Sequence, residues 1–155
     1  MCVEPSEENQ KILKKNLKLN NISCRIITKA LSNREKKTVG FYYNHKNPAF
    51  SKISEGMSEN MVDTISIENL QKKMRKIDLL KLDIEGEEIM VLEEINPKKR
   101  VIKNIILETH FDKYPSKFDL AKLMASKGFE LLPKMNHWKK LNSEIEYPFM
   151  IFKRK

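Results

Sequence analysis

Glu4, Asp83, Glu85, Glu108 and His110 are the side chains of this sequence best suited to chemistry, because each follows a short apolar run that reads as a β-strand. In an open parallel sheet, ligands bind beyond the carboxyl ends of the strands, so acids and a histidine at those exits face a crevice. Asp83 and Glu85 precede Gly86 in a tight strand-to-helix turn. Acids around a helix start also offset its dipole, and for Glu87 and Glu88 that explanation is as good as a functional one. His110 stands two residues beyond Glu108, and a histidine beside a carboxylate at a strand exit is a candidate for proton transfer. Asp83, Glu85, Glu108 and His110 could in principle ligate a divalent ion, but their spacing matches no known ligand motif, so no metal site is expected.

These residues need elements to position them. Pro5-Ser6-Glu7-Glu8 places a hydroxyl at an N-cap and two acids in a first turn, predicting a helix with Ile12, Leu13 and Leu17 as its apolar stripe and Asn20-Asn21 as its stop. Cys24 to Thr28 reads as a buried strand leading into Ala30-Leu31-Ser32. Thr38 to Tyr43 and Met61 to Ile65 read as further extended pieces, with a loop containing Pro48 and Gly56 between them. Ser66 caps a short helix through Arg75. Ile77 to Asp83 is a mostly apolar strand, followed by a helix over 86–95 with Ile89, Leu92 and Ile95 on one face. The pattern repeats with a strand over Val101 to Glu108 and a helix opened by Ser116, carrying Leu120, Leu123 and Met124, and closed by Gly128. Phe129 to Leu132 and Tyr147 to Phe152 are expected to form an antiparallel pair, because the connection between them shows no helix. Strands alternating with helices imply a doubly wound α/β sheet of Rossmann type.

At 155 residues the chain fits a single domain, 1–155, with no internal repeat. Hydrophobic residues at 40% and charged residues at 33% place it among globular chains. No apolar run approaches the roughly 20 residues of a membrane span, and Glu4-Pro5 interrupts anything resembling a signal peptide. Cys2 and Cys24 are too few for a disulfide framework or zinc site and read as reduced, strand-borne apolar residues of a cytoplasmic protein. The net charge of +9 suggests nucleic acid, but the excess of bases over acids falls in residues 1–47 and 97–155, while 48–96 is net acidic. Most of the bases are lysine, the weaker choice for bidentate contacts, so a solvated surface explains them better than nucleic-acid binding.

The blocks Val3-Glu4-Pro5-Ser6, Ala30-Leu31-Ser32, Leu80-Lys81-Leu82-Asp83-Ile84-Glu85-Gly86 and Leu107-Glu108-Thr109-His110, in this order and spacing, resemble the FkbM-type methyltransferases dependent on S-adenosylmethionine. The resemblance runs from Val3 to about Gly128. It implies a Rossmann-like class I methyltransferase sheet with an antiparallel last strand. It also implies that Glu4 accepts hydrogen bonds from the cofactor ribose, that Ala30 and Leu31 lie along the adenine, and that Asp83 faces cofactor and acceptor. Glu85 and His110 would stand on the acceptor side, with His110 as general base. The acceptor implied is a small-molecule or sugar hydroxyl. Trp138, Tyr147 and Phe149 could stack on a sugar, although aromatics near terminal strands usually serve a core.

Family members carry a first strand and a glycine-rich turn ahead of the Val-Glu-Pro block, whereas the glycines here are Gly40, Gly56, Gly86 and Gly128. The expectation is therefore an N-terminally truncated version of the fold, inactive and poorly stable alone, that pairs with a complementing N-terminal fragment or with itself. A reading from a different class is a non-catalytic basic accessory subunit that binds RNA or a partner chain through its lysine-rich flanks.

Overall fold

The computed structural model describes residues 1–33, 37–44, 46, 51–54, 60–108, 117–132, 139–141, 144–146 and 149–155. The chain divides into two compact units, Met1–Ser66 and Ile67–Lys155, and each is described by itself.

In the first unit, Ser6 opens a helix because its hydroxyl accepts the Asn9 N–H at 3.2 Å, with Glu7 and Glu8 complementing the dipole in the first turn. This helix, α1, spans Glu7–Leu19 and joins β1 (Cys2–Val3) to β2 (Ile26–Ile27), which pair in parallel with Cys2 opposite Ile26. The Asn20-Asn21 stop is a left-handed cap. Asn21 has φ 53°, Ile22 N–H donates to Leu17 C=O at 2.9 Å, and Asn21 N–H donates to Lys18 C=O at 3.2 Å. Asparagine tolerates that conformation better than other residues bearing a Cβ. The apolar stripe is narrower than the sequence suggests. Leu13 and Leu17 are half-buried in line with buried Gln10, whereas Ile12, about 100° round the helix from Leu13, is 56% exposed.

The strand expected over Cys24 to Thr28 contracts to Ile26–Ile27, both half-buried, because only these residues find a parallel partner in the equally short β1. A second sheet has the order β3-β6-β4-β5, with β3 at Ala30–Leu31, β4 at Thr38–Tyr42, β5 at Lys52–Ser54 and β6 at Met61–Ile65. β3 runs parallel to β6, while β4 runs antiparallel to both β6 and β5. β5 lies in the stretch expected to be only a loop. Its Lys-Ile-Ser sequence has no strand signal of its own, and its pairing with Gly40, Phe41 and Tyr42 is what makes it a strand.

The second unit opens with α2 (Ile67–Lys73), directly after Ser66. It continues through β7 (Ile77–Leu82), α3 (Glu88–Glu93), β8 (Ile102–Glu108), α4 (Lys117–Ser126) and β9 (Phe129–Leu131). A hairpin of β10 (Lys139–Leu141) and β11 (Glu144–Glu146) precedes β12 (Phe149–Arg154) and occupies the connection in which no helix was expected. The main sheet is ordered β7-β8-β12-β9. β7 and β8 are parallel, and β12 lies antiparallel between β8 and β9, so the final antiparallel strand is present. Ile102, Ile105 and Leu107 of β8 and Met150 and Phe152 of β12 are all but fully buried, together with Val91, Leu92 and Ile95 from α3 and its C-terminal end. Gly128, with φ 82°, ends α4 in the conformation a helix-terminating glycine supplies.

The fold is thus mixed α/β, with its described strands distributed over four hydrogen-bonded sheets where the sequence suggests one. Among the described residues, no helix is long and apolar enough to cross a membrane.

Candidate functional site

Glu4 leaves β1 where its backbone N–H still donates to Ile27 C=O at 3.0 Å, so the β1–β2 pairing aims it. Its carboxylate turns onto the start of α1. Oε1 accepts the Ser6 N–H at 2.8 Å and the Asn9 side-chain amide at 3.5 Å, while Gln10 donates to the Glu4 carbonyl at 2.9 Å. One carboxylate oxygen is therefore held in place, and among the described residues nothing donates to Oε2. Burial raises the Glu4 carboxyl above its ordinary value, against the two hydrogen bonds that favour the anion. An oriented carboxylate with one accepting oxygen fits the hydroxyls of a ligand. Ala30 and Leu31 of β3 are 3% and 7% exposed and belong to the core of the first unit, followed by Ser32, whose N–H donates to Ile65 C=O at 3.1 Å.

Asp83 and Glu85 belong to the second unit. The parallel register sets Lys81 opposite Ile106 and Leu82 opposite Leu107, so Asp83 and Glu108 emerge side by side at the same sheet end. Lys81 bridges them, with Nζ 2.6 Å from Asp83 and 3.8 Å from Glu108, and the two acid side chains are only 32% and 30% exposed. Sequence reasoning assigned Lys81 no role. A lysine two residues before a strand-end acid lies on the same face of the strand, and that spacing was the available signal.

The turn between β7 and α3 has consecutive positive φ angles, 54° at Glu85 and 113° at Gly86. Glycine takes this conformation freely, whereas a residue with a Cβ pays roughly 1–2 kcal/mol. Glu88 compensates. Its side chain is fully buried and accepts the N–H of Ile84 at 2.9 Å and of Gly86 at 3.0 Å, folding the turn around one carboxylate. The acid that looked like a dipole partner is thus the clamp that orients Asp83 and Glu85. Asp83 and Glu108, held by one cation, form an anionic pair able to orient a polar ligand or accept its hydrogen bonds.

His110 lies outside the described residues, as do Thr109, Ser116, Trp138 and Tyr147. Among the described residues, no three His, Cys, Asp or Glu side chains are grouped to hold a metal ion. Of the sequence candidates, Glu4, Ala30 and Leu31 fall in the first unit, while Asp83, Glu85 and Glu108 fall in the second, where Asp83 and Glu108 meet.

No curated protein and no solved structure matches this chain. Residues 2–131 match the Methyltransferase FkbM domain family, a span that begins at β1 and ends with β9. It contains both the Glu4 turn and the clamped Asp83–Glu88 turn, and it covers well over half of the sequence: the chain belongs to the FkbM methyltransferase family.

Proposed function

We propose that the chain is an S-adenosylmethionine-dependent O-methyltransferase domain with a Rossmann-like class I architecture, acting in the cytoplasm on a small-molecule or sugar hydroxyl. The observation that carries this reading is the family membership across both turns, strengthened by Glu4 Oε2, which faces no donor among the described residues. Glu4 would accept a ribose hydroxyl, with Ala30 and Leu31 along the adenine. Asp83 and Glu85 would orient the acceptor, and His110 would hold the proton its hydroxyl loses. When bound, the cofactor supplies an already activated methyl group, which leaves this chain the tasks of alignment and proton transfer. Titration calorimetry with S-adenosylmethionine and S-adenosylhomocysteine tests the reading. Saturable heat from both supports it, and a folded chain silent to both at millimolar concentration defeats it.

Strand edges support a partner for this domain. Among the described residues β1 pairs only with β2, and β7, carrying Leu79 at 55% exposure, pairs only with β8. A complementing N-terminal fragment or a second copy that adds a strand to such an edge would satisfy its backbone groups.

One observation favours the accessory reading. A cleft of 310 Å³ in the second unit is lined by Arg100, Lys103, Asn104, Lys153, Arg154 and Lys155, with the Arg154 guanidinium held by donating from Nε to Ile102 C=O at 2.7 Å and from Nη1 to Lys127 C=O at 3.1 Å. Arg100, Lys103, Lys153 and Lys155 carry the charge that suits a phosphate backbone. RNA binding that weakens steeply with salt, without any response to S-adenosylmethionine, would favour this role over the enzyme.

A further inference from the structure

Cys2 and Cys24 are the cysteines of the chain, and both are free and half-exposed. The sequence suggests two apolar residues within strands, but Cys24 lies ahead of β2 and outside it. The β1–β2 pairing draws the thiols together from opposite ends of α1. Cys2 N–H donates to Arg25 C=O at 2.9 Å, and the two Sγ atoms stand 3.4 Å apart across a separation of 22 residues. A disulfide requires about 2.05 Å, so closure asks the sulfurs to approach by only about 1.4 Å. The thiols are also electrically unequal. Burial, aided by the shared hydrogen bond, raises Cys2. At Cys24 burial acts in the same direction, but the net shift is downward, with the hydrogen bond to Cys2 the foremost lowering cause. Cys24 is therefore the better attacking group and Cys2 the one that resolves.

We propose that Cys2 and Cys24 form a thiol–disulfide site, oxidised by low-molecular-weight disulfides to an intramolecular bond that ties β1 to the approach to β2. The Cys24 thiolate attacks one sulfur of the small disulfide, and the first small thiolate leaves. Cys2 then gives its proton to solvent and attacks the Cys24 sulfur, expelling the second small thiolate. The two cysteine sulfurs lose one electron each, and the small disulfide gains both. The site is independent of methyl transfer, and its test requires no cofactor or acceptor.

The full chain is equilibrated with glutathione buffers of graded redox ratio, quenched with acid and weighed intact. The expected product is lighter by about 2 Da with no adduct, a peptide pair linked through Cys2 and Cys24, and an effective concentration at least about tenfold above that of the same chain in urea. Cys2→Ser should accumulate a glutathione adduct at Cys24 faster than Cys24→Ser does at Cys2, with circular dichroism confirming that both variants fold. A doubly glutathionylated chain, a disulfide between two chains, or an effective concentration equal to that in urea would overturn the proposal.

Discussion

Replacing Glu88 by alanine should destabilise the second unit more than removal of any exposed acid, because the carboxylate is fully buried and is the acceptor for two backbone N–H groups of the Ile84–Gly86 turn. Hydrogen bonds to a charged group contribute about 1.5–3 kcal/mol each, so the pair sets an upper range of about 3–6 kcal/mol. Ile84 and Gly86 are half-buried, so water recovers part of that loss, and relieving a buried carboxylate of its desolvation recovers more. The expected cost is therefore about 3 kcal/mol, or roughly 6–12 °C in Tm for a chain of this size. Glu88→Gln keeps a carbonyl for one N–H and turns an amide NH2 toward the other, so it should cost about half as much. Glu93→Ala, on the exposed side of α3, should stay within about 0.5 kcal/mol of the parent. Urea and thermal melts followed by circular dichroism supply the ranking. Equal stability of Glu88→Ala and Glu93→Ala would show that the turn holds itself, and Glu88→Gln costing as much as alanine would show that geometry does not govern the clamp.

Glu4→Gln should weaken S-adenosylmethionine binding by about 10- to 100-fold in calorimetry, the worth of one charge-assisted hydrogen bond, while leaving the fold intact. Folded Glu4 binds its proton more tightly than the unfolded chain, so its contribution to stability is complete below the ordinary carboxyl value of 4.5 and is lost as pH rises through the raised folded value. Urea midpoints should accordingly shift in favour of Glu4→Gln between pH 4 and pH 7, and a constant difference across that range would contradict the assigned burial effect. Ser6→Ala should lose about 1 kcal/mol through the missing acceptor for Asn9 N–H, read in the same melts. If the basic cleft holds RNA, charge removal at Lys103 and Lys153 should lower the log–log salt slope by about 2, measured by fluorescence anisotropy.

Features settled within a few residues were legible in the sequence. The Ser6 cap, the Asn20-Asn21 stop and the Gly128 helix end all depend on local backbone chemistry. Features settled by distant partners were not. A β-branched run at Cys24–Thr28 does not reveal that only two of its residues will be paired, and Lys52–Ser54 becomes a strand solely through β4. Within the site, the exits at Glu4, Asp83 and Glu108 followed from apolar runs ending in acids. Glu88 as a clamp depended on two positive φ angles, and Lys81 as a bridge depended on the register of β7 against β8. Neither is visible in residue types alone.

The place of β12 gives the order of synthesis a physical weight. Phe149–Arg154 is made after β7, β8 and β9, yet it lies between β8 and β9, and both of those strands take their antiparallel pairing from it. A nascent chain that has emitted β7, β8 and β9 can zip the first two together in parallel, but β9 must wait, with Ile105, Leu107 and Phe129 still lacking Met150 and Phe152. Vectorial folding from the amino terminus thus stalls at a half-built sheet, and completion is a late, long-range closure of the slow kind. Deleting β12 would strand the sheet at that stage, whereas shortening the β10–β11 hairpin would leave its four-strand pairing scheme complete.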